Sequence, residues 1–189
     1  SGVTESLYGL WVQSASDVWA VGEGGKILHF NGTAWAARQS PTTNLLAAVW
    51  GSSATDLWAV GQQGTILHYD GKDWTVQTPI GGNLTGVCGH AANDVWATGS
   101  GGAHYHYNGT SWSFVSPKLV SNDLWGLWGA TTANETVAVG DKGTVLRHRG
   151  NGWAEDLSAT QENLYGVWGG AGVDQWAVGV KGTIVHYAP

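Results

Sequence analysis

The chain has 189 residues, among them 30 glycines and 13 tryptophans but only two phenylalanines, one cysteine and no methionine. Lys and Arg number 8 against 14 Asp and Glu, a net charge of −6, and charged residues make up 12% of the chain, about half the usual share. There is no cluster of cations to hold nucleic-acid phosphates. The apolar runs are too short for a membrane-inserting helix or a signal-peptide core, and Cys88 alone forms no internal disulfide.

In chain order, the first predicted strand is Leu7-Tyr-Gly-Leu-Trp11, after too few residues for a full strand, though Gly2 to Glu5 are expected to supply a short one. Alternation would put Leu7, Gly9 and Trp11 on one face and Tyr8 on the other. The second predicted strand is Asp17-Val-Trp-Ala-Val-Gly22, the third Lys26-Ile-Leu-His-Phe30, and Asn31-Gly32 then leads to a strand at Trp35. Asn-Gly between two such runs is a strong hairpin signal, because both central residues of that turn take positive φ. The pattern then starts again. Leu46-Ala-Ala-Val-Trp50, Leu84-Thr-Gly-Val-Cys88, Leu124-Trp-Gly-Leu-Trp128 and Leu164-Tyr-Gly-Val-Trp168 follow the first line at steps of 39, 38, 40 and 40 residues.

Four short antiparallel strands in a unit of about 40 residues is the signature of a propeller blade. The expected fold is therefore all-β: a single five-bladed β-propeller over 1–189, with blades at about 7–44, 45–83, 84–122, 123–162 and 163–189 plus 1–6. The last unit ends where its outer strand should begin, so it is either closed by the N-terminal residues or lacks that strand. An end of this kind, with Ser1 in place of Met, is also what a piece of a longer protein would show. One blade cannot bury both of its faces, so Trp and Leu of neighbouring blades must interlock. Twelve tryptophans occupy repeat positions, and Trp125 is the exception.

Four units carry a set of three residues: Asp17, Trp19 and His29; Asp56, Trp58 and His68; Asp94, Trp96 and His106; Asp174, Trp176 and His186. The fourth unit changes all three together, to Glu135, Val137 and Arg147. Joint replacement predicts that the three touch, with a Glu–Arg pair standing in for Asp–His. The expected role is structural, because one imidazole and one carboxylate per blade make a poor metal site. His104 and His106 share a strand face and are the one pair with metal-ligand spacing. No metal and no cofactor is expected.

Binding residues are sought where the repeats differ. The residue after each leading Leu is Tyr8, Ala47, Thr85, Trp125 or Tyr165, and the aromatic ones among these suit a collar near one mouth of the propeller. The linkers to the next unit are rich in amides and hydroxyls and end in Asn44, Asn83, Asn122 and Asn163.

The line Trp50-Gly-Ser-Ser-Ala-Thr-Asp-Leu-Trp-Ala-Val-Gly61, with Gly64-Thr-Ile-Leu-His-Tyr-Asp-Gly71 and Trp74, resembles bacterial propeller repeats common in secreted and lipid-anchored proteins, including those of myxobacteria. Its Asp70-Gly71…Trp74 corner is similar to an Asp-box hairpin without the full box. The resemblance implies an extracellular or cell-surface location. The architecture is also similar to that of five-bladed tachylectin-type lectins, though none of their binding motifs maps onto these residues.

Two functions follow as expectations. The leading one is a non-catalytic, lectin-like module that binds glycans at repeated weak sites between blades, aided by avidity. Its ligand residues would be Tyr8, Trp125, Tyr165, Asn44, Asn83, Asn122 and Asn163. The alternative is a protein-interaction or structural propeller of a larger surface protein, with Trp125 and Tyr165 as anchors. An enzyme is not expected. No nucleophile–base pair is recognisable, and the carboxylates Glu155, Asp156, Asp70 and Asp73 read as solvated.

Overall fold

The computed structural model describes every residue except 1, 78–80, 131–134, 151, 171–173 and 188–189. The fold is a five-bladed β-propeller, with antiparallel sheets of four strands in blades 1 to 4 and three in blade 5. Blade 1 holds β1 (Leu7–Ser14), β2 (Asp17–Gly22), β3 (Ile27–Phe30) and β4 (Trp35–Arg38). Blade 2 holds β5 (Leu46–Ser53), β6 (Asp56–Gly61), β7 (Ile66–Tyr69) and β8 (Trp74–Val76). Blade 3 holds β9 (Leu84–Ala91), β10 (Asp94–Gly99), β11 (His104–Tyr107) and β12 (Trp112–Phe114). Blade 4 holds β13 (Leu124–Ala130), β14 (Glu135–Gly140), β15 (Val145–Arg149) and β16 (Trp153–Asp156). Blade 5 holds β17 (Leu164–Gly169), β18 (Gln175–Gly179) and β19 (Ile184–Tyr187), with no outer strand among the described residues. The packing resolves into two compact units, Ser1–Val87 and Cys88–Pro189, divided inside β9.

Register gives each blade two distinct faces. Trp11 pairs with Trp19 and Trp19 with His29, so these share one side, here the tryptophan face. Leu10 pairs with Ala20 and Ala20 with Leu28 on the opposite side, the leucine face. A register shift between Leu7 and Gly9 corrects the simple alternation expected for β1. Two residues oppose one there, as in a β-bulge. Leu7 therefore pairs with Gly22 on the leucine face, opposite to Trp11, and Tyr8 is the extra residue of the bulge. The same shift recurs in β5, β13 and β17.

Within the first unit, the tryptophan face of blade 1 packs on the leucine face of blade 2. Trp19, Val21 and Ile27, with Trp11 beside them, meet Leu46, Val49, Ala59, Leu67, Tyr69 and Trp74. The second unit repeats this between blades 4 and 5, where Val137, Val139 and Val145 meet Leu164, Ala177 and Val185. Complete burial of each such side chain contributes about 1.5–3 kcal/mol, so interlocking is where the stability of each unit resides.

A tight turn joins the second and third strands of every blade, as at Gln62–Gly64. Its first N–H is clamped from the linker, with Gln62 N donating to Leu45 O at 2.9 Å. Gly61, just before it, has no room for a side chain, because a Cβ there would lie 1.9 Å from that carbonyl oxygen. The expected strand at Gly2 to Glu5 does not form. Glu5 instead pairs with Lys26 at 2.8 Å, and Ser6 offers its carbonyl to Glu23 N at 2.9 Å. Blade 1 is already complete with four strands, so that segment is used as a clamp.

Candidate functional site

Each Asp–Trp–His set forms a compact group on a tryptophan face. His29 Nε2 lies 2.8 Å from Asp17, His68 2.6 Å from Asp56, His106 2.7 Å from Asp94 and His186 2.8 Å from Asp174. The tryptophan two residues after each Asp stacks on the imidazole, with centroids 4.1 to 4.2 Å apart. Asp opens the second strand in blades 1 to 3 and immediately precedes it in blade 5, and the His pairs with the Trp across the ladder, which brings all three side chains together. In blade 4 Arg147 takes the histidine's place and donates to Glu135 at 2.5 Å. It also donates to Asp156 at 2.8 Å and to Gln175 Oε1, and Gln175 Nε2 donates back to Glu135. This buried network ties blade 4 to blade 5.

His90, which has no evident partner in the sequence, lies 2.9 Å from the second oxygen of Asp94 and 3.2 Å from Glu135 O. Burial alone would raise the Asp94 carboxyl, but its bonds with His90 and His106 more than offset this and hold its pKa below the ordinary value. His104 does not join His106. It is fully buried, and its Nδ1 donates to Gly102 O at 3.2 Å. Its Nε2 has no hydrogen-bond partner among the described residues. Burial lowers its pKa, so the ring is neutral at pH 7. It lines a pocket of about 270 Å³ with Trp96, Pro117, Leu119, His148 and Trp153. Among the described residues no three His, Cys, Asp or Glu side chains could hold a metal ion.

The four linker asparagines are engaged inside the fold. Asn44 and Asn122 donate to Thr65 Oγ1 and Thr144 Oγ1 of the blades they precede, at 2.9 and 2.7 Å. Asn83 and Asn163 accept from Gln63 N and Lys142 N, in the turns of the blades before them, at 3.0 and 2.9 Å. All four therefore tie the inter-blade linkers to the tight turns between the second and third strands of blades 2 and 4.

The aromatics after the leading leucines behave differently. Trp125 is 36% exposed and Tyr165 50%, with centroids 6.0 Å apart and planes at 68°, an edge-to-face pair. Trp125 Nε1 donates to Asp141 Oδ1 at 2.7 Å, which fixes the indole while leaving its surface open. In blade 1 the equivalent Tyr8 donates through its hydroxyl to Glu23 at 3.2 Å and is 55% exposed. Glu23 and Asp141 occupy the same position, the first residue of the tight turn, where blades 2, 3 and 5 carry Gln62, Ser100 and Val180. This acid was missed in the sequence, though a readable signal exists: in blades 1 and 4 an acid at this position accompanies an aromatic after the leading Leu. The bulge turns these aromatics outward. The second unit thus presents an aromatic corner held by Asp141.

No protein-family model matches the chain, and no curated protein matches it in sequence. Several solved structures share its fold. YCF48 bound to D1 peptide is 17% identical with a TM-score of 0.75, and the match covers 100% of this chain and 64% of that one. YCF48 from Cyanidioschyzon merolae is 16% identical with a TM-score of 0.77, over 100% and 68% of the two chains. The WD40 β-propeller domain of Doa1 is 12% identical at 0.77, over 100% and 66%. The chain thus spans about two thirds of the length of these propellers. At such identities the likeness shows the fold alone.

Proposed function

We propose that this chain is a non-catalytic protein-interaction module of a secreted or surface protein, docking an extended segment of a partner against the Trp125–Tyr165 corner. The observation that carries the reading is the partly exposed indole held by Asp141. An aromatic already fixed in orientation loses little entropy on binding, and Trp and Tyr are the residues that dominate interface energetics. Asp141 adds a carboxylate beside an apolar surface, which suits a peptide with a backbone N–H or a cationic side chain next to an apolar one. A propeller of the same fold, YCF48, has been solved with a D1 peptide bound, which supports a peptide ligand for this one. Each linker asparagine gives one amide atom to the fold, Nδ2 in Asn44 and Asn122 and Oδ1 in Asn83 and Asn163, which leaves fewer amide groups to meet sugar hydroxyls.

A peptide-display selection on the purified protein, scored against Trp125→Ala and Tyr165→Ala, tests this reading. Selected peptides should lose at least tenfold in affinity for Trp125→Ala, the truncation cost of a central aromatic anchor. Peptides that bind both variants as tightly as wild type would place the site elsewhere. A glycan array that binds where peptides do not would return the lectin reading.

A further inference from the structure

Within the second unit, the contact between blades 3 and 4 leaves open a space that an arginine fills between blades 1 and 2 of the first. The aromatic frame is the same in both. Trp96 packs against His148 and Trp153 of the next blade at 4.8 and 5.4 Å, as Trp19 packs against Tyr69 and Trp74 at 4.9 and 5.8 Å. Each tryptophan stacks on a histidine held by an aspartate, His106 with Asp94 and His29 with Asp17.

What lies over the tryptophan differs. In blade 1, Arg38 pairs with Ile27 across the ladder, on the tryptophan face. Its guanidinium carbon sits 5.8 Å from the Trp19 ring centroid, and Nη2 donates to His29 Nδ1 at 2.9 Å. In blade 3 the residue opposite His104 is Val115, whose N–H donates to His104 O at 3.0 Å. Valine is too short to cover the indole. A pocket of about 270 Å³ remains, with Trp96, Trp153, His104, Val115 and Leu119 in its lining. Leu119 is 37% exposed, so the pocket borders solvent.

The same pocket holds an acceptor that the fold leaves unused. His104 stands where blades 1 and 2 carry Ile27 and Ile66. Its Nδ1–H is directed to Gly102 O at 3.2 Å, which makes Nε2 the lone-pair nitrogen of a neutral ring. That nitrogen is buried and has no hydrogen-bond partner among the described residues. A buried acceptor left this way costs stability, and folded proteins keep few of them. A ligand that brings a donor into the pocket removes the cost.

We infer that this pocket binds an alkylguanidinium group, borne by an arginine of a partner segment or by a free small molecule. The planar cation lies over Trp96 as Arg38 lies over Trp19, and one N–H donates to His104 Nε2. Guanidinium suits both contacts, since it stacks on aromatic faces, carries only donors and is more weakly hydrated than an ammonium. The site uses none of the residues of the Trp125–Tyr165 corner, so its test is independent of that reading.

Titration of protein isotope-labelled at the tryptophan indoles, with ethylguanidinium and with the uncharged ethylurea, reads the pocket directly. The Trp96 and Trp153 Nε1–H peaks should shift with ethylguanidinium, and ethylurea should bind about tenfold more weakly. His104→Ile should weaken ethylguanidinium binding about tenfold. Val115→Arg should abolish it, because the chain then supplies the guanidinium itself. An acetyl-Gly-Arg-Gly-amide peptide that shifts the same peaks assigns the pocket to a chain-borne arginine. A peptide excluded from a pocket that takes ethylguanidinium assigns it to a free small molecule. Unmoved peaks with ethylguanidinium, equal binding of ethylurea, or wild-type binding by both Val115→Arg and His104→Ile would overturn the inference.

Discussion

Replacing Arg147 with methionine keeps most of the side-chain volume and removes the charge at the centre of the blade 4 network. Arg147 is 6% exposed and Glu135 13%, while Asp156 at 35% retains contact with water. Without the guanidinium, the Glu135 carboxylate keeps, among the described residues, the amide of Gln175 at 2.9 Å. Breaking a buried ion pair from one side costs about 3–5 kcal/mol because the other charge is stranded. The partial exposure of Asp156 places this case near the lower end, about 3 kcal/mol. With a urea slope of about 1–3 kcal/mol/M, the unfolding midpoint of the second unit should fall by roughly 1–3 M. Arg149 is the control. It also faces Asp156, but at 3.6 Å and 65% exposed, so Arg149→Ala should cost less than about 1 kcal/mol. Urea unfolding followed by circular dichroism at pH 7 reads both variants. An Arg147→Met midpoint no lower than that of Arg149→Ala would refute the claim that this network joins the two blades.

Two pH responses follow. The Asp94 carboxyl has a folded pKa below its unfolded value, so its contribution is present above about pH 4 and is lost as pH falls through the folded pKa. Asp94→Asn should be less stable at neutral pH and should flatten the acid limb of the stability curve below that point. His104 has a folded pKa below its ordinary value, so the unfolded chain binds more protons and stability declines as pH falls below about 6.5. His104→Ile, the residue at this position in blades 1, 2 and 5, should remove that decline in unfolding free energies measured at pH 5 and pH 7.5. Gly61→Ala should destabilise the first unit strongly, since its Cβ would meet Leu45 O, whereas Gly24→Ala meets nothing within 4 Å and should cost only the strain of its φ of 61°; thermal melting separates the two. The Cys88 thiol is buried and its pKa is pushed well above the ordinary range, so a thiol reagent should modify it only at the rate of unfolding, with added urea accelerating the reaction.

Residues repeated in every blade made the fold readable, since a periodic Trp or Leu reports packing that recurs. The joint change to Glu135, Val137 and Arg147 pointed to a pair that the structure closes at 2.5 Å. Its other partners were harder to see. Gln175 stands where blades 1 to 3 carry Val18, Leu57 and Val95, and a polar residue at an apolar position is a signal only once the neighbouring blade is known. His104 is the same kind of exception at an aliphatic position. The bulge in β1 was not legible, because alternation says nothing about an inserted residue, and it moved Leu7 to the opposite face. The N-terminal clamp escaped notice for a related reason. Glu5 and Ser6 act through single contacts with Lys26 and Glu23, which leave no periodic trace.

The most direct test of the proposed site is a heteronuclear NMR titration of protein labelled at the tryptophan indoles. The Trp125 Nε1–H cross-peak would be assigned by its absence in Trp125→Phe and followed as a display-selected peptide is added. This peak should shift in proportion to binding, because its proton is the one held by Asp141 beneath the docking surface. A peptide that saturates the protein while the Trp125 peak stays in place, or a glycan that shifts it where no peptide does, would place the docking site elsewhere or make it a sugar site.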